Sequence, residues 1–272
     1  MSGAYTGPLK AAIFDWAGTI VDYGCIAPAQ VFVETFAAEG VALTMAEARG
    51  PMGMHKRDHI RAVLALPEVA ARWQSAHGAP PHEADIDRVY AAFVPRQIGL
   101  IGGSAEPIPG ALEAVASLRA RGLKIGGCTG YVRAMMNVLE PAARAKGYAP
   151  DVSVCSDEVG GGRPAPWMIF HIAQRLNVYP MAALVKIGDT EVDVAEGLNA
   201  GTWTVALAQT GNEIGLSEAD LYALTAADRE ARLAAARAKL SAAGAHYVID
   251  TLAGLLPVMD DIEARLTQGK RP

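Results

Sequence analysis

Short apolar runs alternate with amphipathic stretches along most of the chain. Six runs stop at an acidic, hydroxyl or small residue: LKAAIFDWAGT (9–19), LKIGGCTG (123–130), DVSVCSD (151–157), ALVKIGDT (183–190), TWTVALA (202–208) and HYVID (246–250). Their length and their small or β-branched apolar content predict buried strands. Between them, GALEAVASLRARG (110–122) has apolar residues at helical spacing and a glycine stop. PAPWMIFHIAQRLNV (164–178) carries prolines at its start, where a helix tolerates them. Strands alternating with helices predict an α/β fold, a Rossmann-like parallel sheet covered on both faces.

The alternation breaks between about residues 23 and 103. APAQVFVETFAAEG, TMAEARGPMGMHKRDHIRAVLAL and EADIDRVYAAFVPRQIGLI each read as helix, with no convincing strand among them. This predicts an inserted helical cap domain over 23–103, hanging as a lid over a core domain formed by 1–22 and 104–272. SEADLYALTAADREARLAAARAKLSAAG (217–244), rich in alanine and charge, reads as a solvated outer helix.

Composition narrows the classes. The 272 residues are 51% hydrophobic and 19% charged, with a net charge of -5, which suits a folded core. No basic block is present, so nucleic acid is not an expected partner. No apolar run has the roughly 18 residues of a membrane span, and residues 1–10 lack the apolar middle of a signal peptide. A soluble cytoplasmic protein is expected, with no membrane partner. The three cysteines, Cys25, Cys128 and Cys155, have no CxxC spacing, so they imply neither a zinc site nor a disulfide framework.

In a parallel sheet the ligand lies beyond the carboxyl ends of the strands. Asp15, Thr129 and Asp189 sit at such ends, with Arg163 in GGGRPAP and Asp193 in GDTEVD. Acidic groups from two strand ends can hold a hard cation such as Mg2+. A hydroxyl and a guanidinium beside them suit phosphoryl oxygens, and one carboxylate can act as nucleophile. Singly, each residue is better explained as a turn or cap; the set asks for one explanation.

DWAGT (15–19), CTG (128–130), GGRPAP (161–166) and GDTEVD (188–193) together resemble the four motifs of the haloacid dehalogenase superfamily, over nearly the whole chain. The resemblance implies Asp15 as nucleophile, Thr129 and Arg163 on the phosphoryl group, Asp189 as a Mg2+ ligand and Asp193 supporting the metal shell. Two positions depart from the common pattern. Arg163 stands where lysine is usual, and Ala17 stands where the phosphatases carry the aspartate that protonates a departing alkoxide. Such acid catalysis contributes about 10²–10⁴-fold, so hydrolysis of an ordinary ester should suffer.

PMGMHKRDHI (51–60) offers another route. Lys56 lies in a helical pattern with Met52 four residues before it and His59 three after, so the three can share a face. A lid lysine with a lowered pKa can form a Schiff base with a carbonyl substrate. The protonated imine draws electrons from a carbon–phosphorus bond, and no alkoxide needs a proton. DWAGT, MGMHKRDH, CTGY and GDTEVD resemble the phosphonoacetaldehyde hydrolases of that superfamily. This implies phosphonoacetaldehyde as substrate, a Lys56 imine, an Asp15 aspartyl phosphate, and Mg2+ held by Asp15, Asp189 and the carbonyl of Ala17. It also implies His59 as proton handler, Cys25, Met52 and Tyr131 lining the pocket, and a homodimer. His55 is expected on the solvent side and Trp16 between sheet and cap. Two other readings remain open at this level: a phosphate-ester phosphatase or mutase, and a degenerate fold that only binds a phosphorylated ligand or a partner.

Overall fold

The computed structural model describes residues 4–272. Six strands form one parallel sheet: β1 (Ala11–Phe14), β2 (Lys124–Thr129), β3 (Val152–Cys155), β4 (Leu184–Gly188), β5 (Trp203–Leu207) and β6 (Tyr247–Ile249). Their spatial order is β3-β2-β1-β4-β5-β6. The chain lays its first three strands outward on one side of β1 and the next three on the other. This makes the β1/β4 boundary the topological switch point, where the ends of the two strands splay apart and leave a crevice. In register, Phe14 of β1 lies opposite Gly127 of β2 and Ile187 of β4. The residues that follow these positions therefore converge on one edge.

Period-two alternation explains why β1 is apolar throughout. Ala11 and Ile13 pack into a layer with Met168, Ile169 and Ile172 of α8 (Trp167–Leu176). Ala12 and Phe14 face the other layer, with Val115 of α6 (Ala111–Ala120), Met135 of α7 (Arg133–Ala145) and Ile262 of α12 (Leu255–Thr267). A third cluster joins Val194 of α9 (Glu191–Ala200) and Ala206 to Leu221 of α10 (Glu218–Ala223) and Leu233 of α11 (Ala226–Ala242).

Between β1 and α6 lie five further helices: α1 (Ile26–Ala38), α2 (Met45–Arg49), α3 (Lys56–Leu64), α4 (Pro67–His77) and α5 (Glu83–Ile101). They form the inserted helical cap around Phe32, Phe36, Trp73 and Phe93, all buried, with the Phe32 and Phe93 rings 4.4 Å apart. Two stretches expected as single helices are split in the structure. The stretch expected as one helix from Thr44 onward is α2 and α3 with a turn between them. Gly50 precedes Pro51, which disfavours a continued helix, and Gly53 adopts φ 90, which a residue with a Cβ rarely does. The outer helix expected over 217–244 is likewise two, because Ser217 and Thr225 each accept a hydrogen bond from the backbone N–H three residues on, at 3.1 Å. Helices α4, α7, α9 and α12 lie outside the stretches that the pattern marks as helical. Among the described residues no helix is long and apolar enough to cross a membrane.

The cap core contains one polar misfit. Thr35 of α1 is buried and its hydroxyl has no hydrogen-bond partner. An unsatisfied buried group is penalised by about 1–3 kcal/mol, while an apolar replacement of the same shape is neutral or better. Thr35→Val is therefore expected to raise stability by about 1 kcal/mol in urea unfolding. A clear loss of stability would mean that this hydroxyl is bonded after all.

Candidate active site

Asp15 directly follows β1, and its backbone N–H donates to Ile187 O of β4 at 2.9 Å. Asp189 follows β4, so adjacency of the two strands brings both carboxylates to one point. Oxygens of Asp15, Asp189 and Asp193 lie within 4.8 Å of one another. Asp189 accepts from the Thr19 hydroxyl at 3.1 Å and from the Asn212 backbone N–H at 2.8 Å. Asp193 sits in the first turn of α9, where Thr190 is the N-cap. Its two oxygens are committed to Lys186 Nζ, at 2.6 Å, and to the Thr190 hydroxyl, at 2.5 Å.

Arg163 makes the arginine-for-lysine departure intelligible. Its Nη2 donates to Asp15 Oδ1 at 2.7 Å and to Cys128 O at 3.0 Å, while Nε donates to Glu196 Oε2 at 2.8 Å. A planar fork can hold two carboxylates on different edges at once; an ammonium on a single stem fixes neither direction. All of these groups are buried.

Four buried carboxylates, Asp15, Asp189, Asp193 and Glu196, thus meet two permanent cations, Arg163 and Lys186. The surplus of negative charge falls on the two strand-end aspartates. Burial raises the Asp15 carboxyl pKa, with Asp193 adding to the rise against the pull of Arg163. Burial and the Asp15 charge push the Asp189 carboxyl well above the carboxylate range. Asp193 differs: burial works against its charge, yet Arg163 and Lys186 hold its pKa below the usual value. A divalent cation between Asp15 and Asp189 would offset the surplus, and an all-oxygen donor set suits Mg2+. The residues present fit that ion.

The turn between α2 and α3 closes over this edge. A side chain at Gly53 would collide with Thr190 Oγ1 at 2.6 Å, and Gly53 O accepts from Arg163 Nη1 at 3.3 Å. Behind the turn lies a small cavity, lined by Asp15, Ala17, Thr129, Tyr131 and Arg163 from the core and by Cys25, Met52 and Lys56. Lys56 is buried; its Nζ lies 4.0 Å from Met52 Sδ and 5.0 Å and 5.5 Å from the ring centres of Tyr131 and Phe32. Among the described residues it has no ion-pair partner, and burial lowers its pKa to about 8. Burial pushes the Cys25 thiol and the Tyr131 phenol well above their usual values, so both face the cavity as neutral groups.

Met52 reaches Lys56 from the turn, not from a shared helical face. His59 is not on the cavity wall. Its ring stacks on Phe32 at 3.8 Å, Nε2 meets Ala48 O at 2.9 Å, and Nδ1 has no partner. Burial, and then the Lys56 charge, hold its pKa well below the usual value, so His59 is neutral with its proton on Nε2. His55 is half-buried and caps α3, its Nδ1 accepting from Arg57 N at 3.3 Å, instead of facing solvent. Trp16 packs edge-on against Tyr148 at 5.0 Å, inside the core rather than beneath the cap. Sequence reasoning missed Lys186, Glu196, Thr19 and Asn212. Lys186 carried one usable signal, a charge in the middle of an apolar strand.

Removing one carboxylate should relieve the metal-free chain of its surplus charge. Asp189→Asn, melted in EDTA, is expected to unfold at or above the temperature of the unsubstituted chain. With Mg2+ at a hundredfold excess over its Kd, the unsubstituted chain should gain about 2.7 kcal/mol and the variant almost nothing. Equal stabilisation of both by Mg2+ would contradict the assignment.

Comparison with known proteins agrees with this geometry. The model of the haloacid dehalogenase-like hydrolases matches residues 9–201. A phosphonoacetaldehyde hydrolase of Nitratidesulfovibrio vulgaris is 50% identical over 268 residues, 98% of this chain and 96% of that one. Another, of Paraburkholderia xenovorans, is 49% identical over 97% of this chain and 99% of its own length. Among solved structures, a phosphonoacetaldehyde hydrolase-like protein of Oleispira antarctica superposes with a TM-score of 0.98 at 40% identity, covering 100% of this chain and 99% of that one. The chain belongs to the phosphonoacetaldehyde hydrolase family of the haloacid dehalogenase-like hydrolases.

Proposed function

We propose that this chain hydrolyses the carbon–phosphorus bond of phosphonoacetaldehyde to acetaldehyde and phosphate. The observation that carries the reading is Lys56: a buried, ion-unpaired lysine on the wall of the same cavity as Asp15 and Arg163, facing a position 17 with no acidic side chain. The names of the relatives support the substrate.

The free Lys56 amine attacks the aldehyde carbon and water leaves, giving an imine that takes up a proton. Asp15 attacks phosphorus; the carbon–phosphorus bond breaks and its electron pair moves into the protonated imine, leaving an enamine on Lys56. Arg163 and Thr129 hold the phosphoryl oxygens during transfer. The enamine takes a proton on carbon, and hydrolysis of the resulting imine releases acetaldehyde. Water then cleaves the aspartyl phosphate and restores Asp15. Mg2+ would be held by Asp15, Asp189 and the backbone carbonyl of Ala17, with Asp193 behind them. When bound, it offsets the negative charge that would otherwise repel an anionic phosphonate. Cys25, Met52 and Tyr131 keep the walls of the Lys56 cavity uncharged, which favours the neutral amine. His59 braces α3 against α2 through Ala48 O, and this reading replaces the proton-handling part that the family resemblance implied. The homodimer remains part of the reading through the family resemblance alone.

Lys56→Arg tests the route, because a guanidinium forms no imine. Activity on phosphonoacetaldehyde is expected to vanish, and borohydride with substrate should inactivate the unsubstituted chain and spare the variant. Normal acetaldehyde release from Lys56→Arg would refute the mechanism.

The pH sign follows from the lowered Lys56 pKa of about 8. The reactive form is the free amine, present above that value. At a fixed short time, borohydride trapping should therefore rise about tenfold per pH unit up to about 8 and then level off. Trapping that stayed flat from pH 6 to 9 would remove Lys56 as the amine.

A further inference from the structure

Arg49 ends α2, on the cap, yet its guanidinium is spent on the core and on the hinge. Nη1 donates to Gly24 O at 2.8 Å, Cys25 O at 3.3 Å and Asn212 Oδ1 at 3.2 Å; Nη2 donates to Gly215 O at 3.1 Å. Asn212 answers by donating Nδ2 to Arg49 O at 3.2 Å. Among the described residues Arg49 has no carboxylate partner. Its role is set by fork geometry across four neutral oxygens, which no lysine can span.

Those oxygens come from two places that matter. Gly24 and Cys25 lie in the passage from core to cap, where Asp22, Gly24 and Cys25 all have positive φ, at 57, 80 and 49. Asp22 and Cys25 thus hold a backbone conformation that residues with a Cβ rarely adopt, at the single passage from core to this end of the cap. Asn212 and Gly215 belong to the loop after β5, and that loop is built onto Asp189. A Cβ at Gly211 would stand 2.2 Å from Asp189 Cβ, and the Asn212 backbone N–H donates to Asp189 Oδ2 at 2.8 Å. A continuous path of hydrogen bonds therefore runs from the cap, through Arg49 and Asn212, to the carboxylate that the metal reading needs.

We propose that Arg49 and Asn212 form a latch that couples closure of the cap to the orientation of Asp189. Arg49 touches neither substrate nor reacting atoms; it is a positioning residue. With the cap closed, the Arg49–Asn212 pair fixes the 211–215 loop and, through it, Asp189. With the cap swung away, the four Arg49 contacts break together and the loop is released. By linkage, whatever binds at Asp189 favours closure, and closure favours binding there. The proposal rests on the reading of Asp15 and Asp189 as the Mg2+ site.

The test is Mg2+ binding by calorimetry to the full chain and to Arg49→Ala, Arg49→Lys and Asn212→Ala, with no substrate present. Asn212→Ala keeps the backbone N–H on Asp189 and removes only the link to Arg49. All three are expected to bind Mg2+ at least about fivefold more weakly, the lower end of ordinary coupling between sites. Melting in EDTA runs alongside. A drop in Tm with unchanged Mg2+ affinity would make Arg49 a structural tie and overturn the latch, as would no change in either. If Arg49→Ala does not fold, the other two variants decide the matter by the same criteria. Absence of Mg2+ binding to the unsubstituted chain would overturn the metal reading itself, and the latch with it; that outcome differs from a variant-specific failure.

Discussion

The feature on which the rest of the site depends is the crowding of buried carboxylates where β1 and β4 lie side by side. Asp15 and Asp189 follow adjacent strands, and sheet order alone brings them together. Arg163 and Lys186 are two cations set among four carboxylates. Arg163 pairs with Asp15, Asp193 and Glu196 and Lys186 with Asp193 and Glu196, so the set stays short of positive charge, and among the described residues Asp189 has no cation partner. Buried charge so poorly matched clusters at functional sites, which makes this edge a candidate site on electrostatics alone. The crowding also explains why the third motif can carry an arginine: the guanidinium has two carboxylates to span.

The cap supplies the complementary half. Its turn between α2 and α3 meets the core at Arg163 and Thr190, and carries Met52 and Lys56 into the cavity. Lys56 is enclosed by a thioether and two aromatic rings, which shield it from water and offer it no carboxylate partner. Burial then lowers its pKa, which is the condition for amine chemistry near neutral pH. In the proposed reaction, Ala17 and Lys56 are two sides of one solution. The position that would protonate an oxygen leaving group is empty of acid, and the position that can stabilise a carbon leaving group is filled.

Much of this was legible in the chain. The six apolar runs marked the six strands, and their acidic, hydroxyl or small ends marked the edge where the candidate site lies, because a buried strand has a simple composition. The strand-end placement of Asp15, Thr129 and Asp189 was legible; that they belong to one site followed only from taking them as a set. Boundaries inside the cap could not. The continuous helical pattern from Thr44 hid the turn that Gly50-Pro51 and Gly53 impose, and that turn presents the lysine. His59 shows the limit of spacing arguments. Three residues after Lys56 it can share a helical face, but whether the ring turns to the cavity or back to Ala48 depends on Phe32 from another helix. Glu196 and Asn212 were invisible for a similar reason: their partners are 33 residues away at Arg163 and 163 residues away at Arg49.

The central claim is that the leaving group is carbon, not oxygen. The most direct measurement is phosphate release with Mg2+ from phosphonoacetaldehyde, side by side with p-nitrophenyl phosphate. Fast release from the phosphonate with almost none from the ester is the predicted result. Fast release from the ester and none from the phosphonate would contradict the account, and would mean that another group supplies the proton that Ala17 cannot.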